Sequence, residues 1–304
     1  MIPCVGCNRR RTFLHALLVI ALLAWSGCAT KTDPRTRPPI PQPIEFTVRL
    51  EEAPARIPSD SLTLATYNVH GLRNAAGVRR DMAALNEVDV WCLQEVAYVD
   101  EARLASVLPA GRWYVAVAAV NRDPKTSGWE AQVIASQLPL ENVEVWPIDE
   151  GDAKRRVAVV AHVDIGGGRR VLLVNADHQP SLVAWYDRNA LQVRRLAKRL
   201  GAWHEGAVIV AGDFNCSGNL LRMRSNSAHV QQVDEVLGAV GFSAVATTGP
   251  SFISGIVQLR LDRIYVRGAV IAAGSIATIS RGSDHRPVWA RFAMDGATEK
   301  NPSR

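Results

Sequence analysis

The sequence predicts a mixed, largely antiparallel α/β protein. Short apolar stretches rich in β-branched residues recur along the chain. Several neighbouring stretches are joined by turns rather than helices. Only a few segments carry helical periodicity, whereas a doubly wound sheet would place a helix after nearly every strand.

Taken in order, Leu62–Val69 reads as the first strand. Val78–Glu87 sets Val78, Met82 and Leu85 on one face and predicts a helix. Val88–Val96 is nearly continuous in apolar residues, the mark of a strand buried on both faces. Val115–Val120, Ala131–Ser136, Val157–Asp164 and Arg170–Asn175 read as further strands. Gly166-Gly167-Gly168 between the last two is a hairpin turn rather than a phosphate loop, because no helix follows. Asp187–Leu200 is the clearest helix, with Leu191, Leu196 and Leu200 apolar and Arg194, Arg195, Lys198 and Arg199 on a solvated face. Strand Ala207–Ala211, helix Val230–Val240 and strands Arg260–Val266 and Val288–Phe292 complete the body.

The flanks differ in character. Residues 1–28 hold Arg9, Arg10 and Arg11, an apolar run from Phe13 to Trp25, and Ser26-Gly27-Cys28. This is the pattern of an export signal, too short to span a bilayer comfortably. Ser-Gly-Cys resembles a bacterial lipoprotein box with Cys28 as the lipidated residue, although Trp25 stands where Leu is usual. Arg10-Arg11-Thr12-Phe13-Leu14 also fits a twin-arginine signal. Residues 29–60 contain seven prolines, Pro34 to Pro58, and read as a semi-extended spacer, with a short strand near Phe46–Leu50 able to dock on the body. The body is expected over 61–294, followed by a polar tail, 295–304.

The 304 residues are 48% hydrophobic and 21% charged, enough to bury a large core and unlike a disordered chain. The net charge is +6. Without the three leader arginines, 32 of the 35 basic residues remain against 29 acidic ones, or +3. Such mild basicity does not by itself announce a nucleic-acid binder. Of five cysteines, only Cys92 and Cys216 fall in the body; this is neither a disulfide framework nor a zinc pattern, and a Cys92–Cys216 bond is disfavoured.

Polar residues recur at strand ends: Asn68, Gln94-Glu95, Asp177-His178, Gly212-Asp213-Phe214-Asn215, Asp262 and Ser283-Asp284-His285-Arg286-Pro287. Singly, each reads as a turn residue, a helix cap or a solvated strand end. Together, the segments TYNVHG, CLQE, VNADH, VAGDFN, RLDRIYV and SDHRPV follow one order along one chain. In that order the chain resembles the endonuclease/exonuclease/phosphatase superfamily, which contains deoxyribonuclease I, abasic-site endonucleases, inositol polyphosphate 5-phosphatases and neutral sphingomyelinases. The resemblance spans Leu62 to Phe292. It implies a four-layer sandwich, two mixed sheets face to face with helices outside.

It also implies roles. Glu95 becomes the main metal ligand, helped by Asn68 and Asp284, with hard oxygen donors suited to Mg²⁺ or Mn²⁺. Asp213 orients or activates the attacking water, and Asn215 donates to the phosphoryl oxygen. His285 is the catalytic histidine, and Asp262 fixes its tautomer. The assignment of acid and base between Asp213 and His285 stays open. His178 is expected to hydrogen-bond the phosphate, with Glu130 either its carboxylate partner or simply a loop or strand-edge glutamate. Asp177 replaces the usual threonine and either adds negative charge beside the site or points away into a turn. Arg222 and Arg224 could contact a phosphate backbone, and Trp185 and Tyr186 more simply pack on the following helix.

These readings imply an envelope-anchored, Mg²⁺-dependent phosphodiesterase, monomeric, with nucleic acid the favoured substrate. Phospholipid or sphingomyelin hydrolysis and phosphomonoesterase activity are the alternatives. A sphingomyelinase would carry a hydrophobic docking hairpin, which the sequence does not announce. A non-catalytic phosphate-binding protein would not need an oriented histidine opposite a metal.

Overall fold

The computed structural model describes residues 43–50, 60–97, 100–122, 129–149, 156–180, 186–216 and 228–294, all within one compact unit. Cys28, Trp185, Arg222, Arg224, the leader and the tail lie outside them. Among the described residues no helix is long and apolar enough to cross a membrane.

The chain runs β1 (Ile44–Leu50), β2 (Ser61–Asn68), α1 (Ala75–Ala83), β3 (Val90–Ala97), α2 (Glu101–Ala105), β4 (Gly111–Arg122), β5 (Trp129–Ser136), β6 (Leu140–Pro147), β7 (Val157–Asp164), β8 (Arg170–Asp177) and α3 (Tyr186–Gly201). It continues through β9 (Ala207–Asp213), α4 (Ala228–Gly238), β10 (Ser243–Ala244), β11 (Phe252–Ser254), β12 (Val257–Leu259), β13 (Asp262–Arg267), β14 (Val270–Ile276) and β15 (Val288–Ala293). One sheet has the order β1-β4-β5-β3-β2-β15-β14, the other β10-β13-β9-β8-β7-β6; β11 and β12 form a separate hairpin.

Strand alternation builds the layers. Leu62 and Leu64 of β2, Val90 and Cys92 of β3, Val171 and Leu173 of β8, and Ile209 and Ala211 of β9 fill the core between the sheets. The alternate residues turn outward. Tyr67, Trp91 and Leu93 pack with Val78 and Met82 of α1, while Leu172, Val174 and Val210 pack with Leu196 and Leu200 of α3. The result is the four-layer sandwich that the resemblance implies.

Among the described strands only β2–β3 and β8–β9 are parallel, each joined through a helix, α1 or α3. All other pairings are antiparallel. Each crossover returns the chain to the same end of its sheet. The carboxyl ends of β2, β3, β8 and β9 therefore gather at one end of the sandwich.

The strands not read from sequence include the edges β6, β10 and β14, together with the β11–β12 hairpin. An edge strand over solvent needs no apolar run: Glu141, Asn142 and Glu144 punctuate β6, and Ala272, Ala273 and Gly274 dilute β14. The fourth edge, β1, pairs antiparallel with β4 from Ile44 opposite Val117, so part of the proline-rich stretch joins the first sheet.

Helix α1 starts earlier than its apolar spacing suggests, because the Asn74 side chain accepts the Gly77 N–H at 3.1 Å and caps it. This helix clamps the loop that precedes β15. A β-carbon on Gly77 would lie 2.3 Å from the Arg281 carbonyl oxygen, and one on Gly282 would lie 2.2 Å from the Val78 nitrogen. Into this contact Asp81 projects a buried carboxylate. It accepts from Tyr67 Oη at 2.8 Å, from the Arg281 N–H at 2.8 Å and from the Gly282 N–H at 2.8 Å. Backbone meets backbone at Gly282, so no side chain can yield. Gly282→Ala should lower stability by about 1–3 kcal/mol in urea unfolding, the usual scale of overpacking. A neutral substitution there would show that the clamp is loose.

Candidate active site

The site is built on a register. Asp213 closes β9, and its neighbours in register are Asp177 on β8 and Asp262 on β13. Residues in register point to the same face, so three aspartates stand in one row across adjacent strands. All three are buried. Each needs a partner, since an isolated buried carboxylate is costly.

His285 serves Asp262. Its Nδ1 lies 2.8 Å from Asp262 Oδ2, and because a carboxylate only accepts, that nitrogen carries the proton. Its Nε2 lies 3.9 Å from Asp213 Oδ2, too long for a hydrogen bond and free to turn to another oxygen. Burial opposes charge on this ring, yet Asp262, Asp213 and Asp284 outweigh it and push His285 up to about 10. The ring is fixed edge-on against Phe252, centroids 5.0 Å apart. Asp262 is held from behind by Ser251, whose Oγ accepts the Leu261 and Asp262 N–H groups at 3.0 Å. For Asp213, burial first and then the Asp262 carboxylate raise the pKa well above the usual carboxylate range.

Asn68 serves Asp213 from the opposite sheet. Its Nδ2 donates at 3.1 Å both to Asp213 Oδ2 and to Glu95 Oε1, and its Oδ1 accepts the His70 N–H at 3.0 Å. Glu95 sits at a register shift between β3 and β5, with φ +53°. That left-handed bend lets consecutive residues serve the site and the core. Gln94 turns in to donate to Thr66 and to Asn175 Oδ1 at 2.7 Å, while Glu95 remains partly exposed. Asn175 Nδ2 reaches the Leu93 and Val133 carbonyls at 2.9 Å, tying the two sheets just below the site. His70 (φ +46°) and Asn215 (φ +49°) share the left-handed conformation. Strain of this kind costs on the order of 1–3 kcal/mol per residue and concentrates at functional sites.

Asp177 is served by a residue that the sequence reading did not single out. Arg156, immediately before β7, is buried and donates Nη1 to Asp177 Oδ2. Burial works against its charge, but Asp177, then Glu95, Glu130 and Asp213, raise its pKa and keep it cationic. Its Nε has no hydrogen-bond partner. In sequence it ends the run Lys154-Arg155-Arg156, which looks like any solvated basic stretch. The only signal is the buried strand that starts at the next residue.

His178 does not face this site. Alternation along β8 carries Val171, Leu173 and Asn175 inward, so Asp177 is inward and His178 lies on the other face. Its ring stacks on Phe214, centroids 4.7 Å apart, in the outer core. Neither ring nitrogen has a partner, and burial lowers its pKa to about 3. The ring is therefore turned away from where the expected phosphate contact would be made, and its nitrogens make no hydrogen bond to Glu130. Glu130, half-buried on β5, acts on Arg156 instead. The His178 backbone still contributes: its N–H donates to the Asp213 carbonyl, and its carbonyl accepts from Asn215 Nδ2, both at 2.9 Å. Asn215 also donates its N–H to Asp213 Oδ1 at 2.9 Å.

Asp284 lies beside His285 with Oδ1 2.9 Å from His70 Nδ1. Burial would raise its pKa, but the His70 hydrogen bond and the nearby imidazoles lower it. The donor set fits a hard divalent cation: Glu95 accepts one hydrogen bond among the described residues, and Asp284 stays ionised. Asp213, Asp262 and His285 also offer ligand atoms within 4.8 Å of one another. Cys92 and Cys216 are free thiols in different layers, one between the sheets and one in the outer core.

Two outcomes follow from the charge pairing. His285 is charged in the fold to a pH well above its unfolded value of about 6.5. Its contribution to stability is complete below that value and is lost as pH rises through about 10. In chelator, ¹⁵N NMR should therefore show an imidazolium at about pH 8, whereas a ring neutral by then would exclude the network. Arg156→Met should cost about 3–5 kcal/mol by removing the cation that faces the buried Asp177 carboxylate. The double variant with Asp177→Leu should recover most of that loss in denaturant unfolding; additive losses would show that the two side chains do not depend on each other.

No curated protein matches the sequence. The solved structures show the same fold at low identity. An endonuclease/exonuclease/phosphatase family protein from Leptotrichia buccalis C-1013-b is 13% identical, with TM-score 0.58, over 76% of this chain and 99% of that one. An endonuclease/exonuclease/phosphatase from Beutenbergia cavernae DSM 12333 is 19% identical, with TM-score 0.59, over 78% and 72%. A humanized D. rerio TDP2 is 18% identical, with TM-score 0.59, over 77% and 99%. The description Endonuclease/Exonuclease/phosphatase family matches residues 65–285, a stretch that runs from β2 to His285 and takes in Asn68, Glu95, Asp213 and Asp262. The chain thus belongs to the endonuclease/exonuclease/phosphatase family, whose members are phosphoesterase hydrolases that usually use a divalent metal.

Proposed function

We propose that the protein is a Mg²⁺-dependent phosphodiesterase that cleaves nucleic acid by attack of water, working at the bacterial cell envelope from a lipid on Cys28. The observation that carries the chemistry is the aspartate row with an imidazolium on one flank and a buried guanidinium on the other. Glu95, Asn68 and Asp284 would hold the cation, which supplies positive charge to the phosphoryl oxygens.

The remaining chemistry belongs to the side chains. His285 is already protonated at neutral pH, so it suits an acid or an electrostatic clamp on the phosphoryl group rather than a base. Asp213 then takes the other role. Its Oδ1 is fixed by the Asn215 N–H and its Oδ2 by Asn68, so the carboxylate is aimed, and it accepts the proton of the attacking water. The raised pKa of Asp213 makes it a stronger base than an ordinary carboxylate. Arg156 adds a cation that is partly desolvated and holds an unused Nε–H, fitting the non-bridging oxygens of a diester.

Mild basicity of the body favours nucleic acid. A second reading, a phospholipid headgroup, draws on one specific feature. The β11–β12 hairpin packs Phe252 on His285 and carries Ile256, 61% exposed, at its tip. An exposed apolar side chain on a hairpin that touches His285 is what supports this second reading.

Incubation with supercoiled plasmid and Mg²⁺ separates these readings. Nicking that is lost in chelator, and lowered at least about 10²-fold in Asp213→Ala and in His285→Ala, is the expected result. Absence of nicking, with Mg²⁺-dependent release of headgroup from phospholipid vesicles, would transfer the function to lipid. Near-native turnover in both variants would overturn the site itself.

A further inference from the structure

His70 has no part in the chemistry above, yet it touches two of the groups assigned to the cation. It leaves β2 just after Asn68, with φ +46°, followed by Gly71 at φ +70° and Leu72 at φ +53°. Three consecutive left-handed residues turn the chain back on itself. As a result the backbone N–H of His70 reaches Asn68 Oδ1 at 3.0 Å, and its ring reaches Asp284 Oδ1 at 2.9 Å. Asp284 lies 214 residues further along the chain, on the loop before β15. No other described hydrogen bond joins the β2 end directly to the Asp284 carboxylate.

The direction of the bond is determined. Asp284 is ionised, and a carboxylate can only accept, so His70 Nδ1 carries the proton and donates. Ser283 Oγ adds a weaker donation to the same oxygen at 3.3 Å. Asp284 Oδ1 is thereby engaged and Oδ2 is left for another ligand. The Asn68 amide is set in the same way, its Oδ1 fixed by His70 and its Nδ2 fixed between Glu95 and Asp213. The ring itself is one-third exposed and rests at the rim of the site.

We propose that His70 is the positioning residue of the cation site: its backbone and ring set Asn68 and Asp284 in one arrangement, without itself ligating the ion. The proposal rests on the reading of Glu95, Asn68 and Asp284 as cation donors. Groups that hold a ligand in place commonly change metal affinity 10- to 100-fold when removed. His70→Gly removes the ring, accepts the left-handed backbone and keeps the N–H. His70→Asn also tolerates that backbone, and its Nδ2–H stands close to where Nδ1–H stood.

The test measures Mn²⁺ binding to the full protein by calorimetry and by pulsed EPR, with far-UV circular dichroism to confirm folding. His70→Gly should bind Mn²⁺ at least about 10-fold more weakly than native protein, and His70→Asn should recover most of that loss. The EPR signal of the native complex should lack a directly bonded nitrogen. Native affinity in His70→Gly, with weakened binding in Glu95→Gln, overturns the proposal while the cation site stands. Native affinity in both variants overturns the cation site and the proposal with it. A directly bonded nitrogen that vanishes in His70→Gly makes His70 a ligand and overturns the positioning role.

Discussion

Three aspartates in one register, on three neighbouring strands, are the constraint on which this end of the molecule depends. Asp177, Asp213 and Asp262 would repel one another and resist burial if left alone. The surrounding structure supplies one answer to each. Arg156 neutralises Asp177, the Asn68 amide reaches Asp213 from the facing sheet, and His285 pairs with Asp262. None of the three answers comes from the strand that carries the aspartate. The row is therefore stable only when both sheets and the loop before β15 are in place, and the site forms as a consequence of folding.

That loop is the element most exposed to error, since it carries Asp284 and His285 but has little core of its own. Its position is set by backbone contact instead. Gly77 and Gly282 let α1 and the loop meet without side chains between them, and Asp81 accepts the loop's N–H groups. On its other side the loop pairs with the β11–β12 hairpin, where Ile253 N–H donates to the Asp284 carbonyl at 2.8 Å. Beneath the site, Gln94 and Asn175 bridge the sheets through amide hydrogen bonds. Such buried polar contacts are directional, so they fix how one sheet is placed on the other in a way apolar packing does not.

Most of the fold was legible because interior strands bury both faces. β2, β3, β7, β8 and β9 announce themselves as apolar runs; motifs at the ends of β2, β3 and β9 name Asn68, Glu95 and Asp213, and those at the start of β13 and before β15 name Asp262 and His285. The edges β6, β10 and β14 were not legible, since no apolar pattern marks them. In β8 the resemblance led to His178, but period-two alternation from Val171 through Asn175 already carries Asp177 inward; a one-residue offset moves a side chain to the opposite face. Arg156, Asp81 and His70 escaped for a different reason. Their roles depend on partners 21, about 200 and 214 residues away, and nothing local distinguishes them from a basic run, a helix-surface acid or a turn histidine.

The balance of charge explains why this arrangement calls for a cation. Glu95, Asp177, Asp213, Asp262 and Asp284 meet only two strongly held positive charges, Arg156 and the His285 imidazolium. A phosphate ester is itself an anion and would be repelled by what remains. Two of the surplus charges lie with Glu95 and Asp284, the carboxylates whose pairing is incomplete, while the buried row sets three carboxylates against Arg156 and the His285 imidazolium. A divalent ion on that side would cancel most of the surplus and favour ionisation of Asp213, which burial otherwise resists. On the proposed reading, cation binding and the basicity of Asp213 would thus be linked through the field of the same few carboxylates.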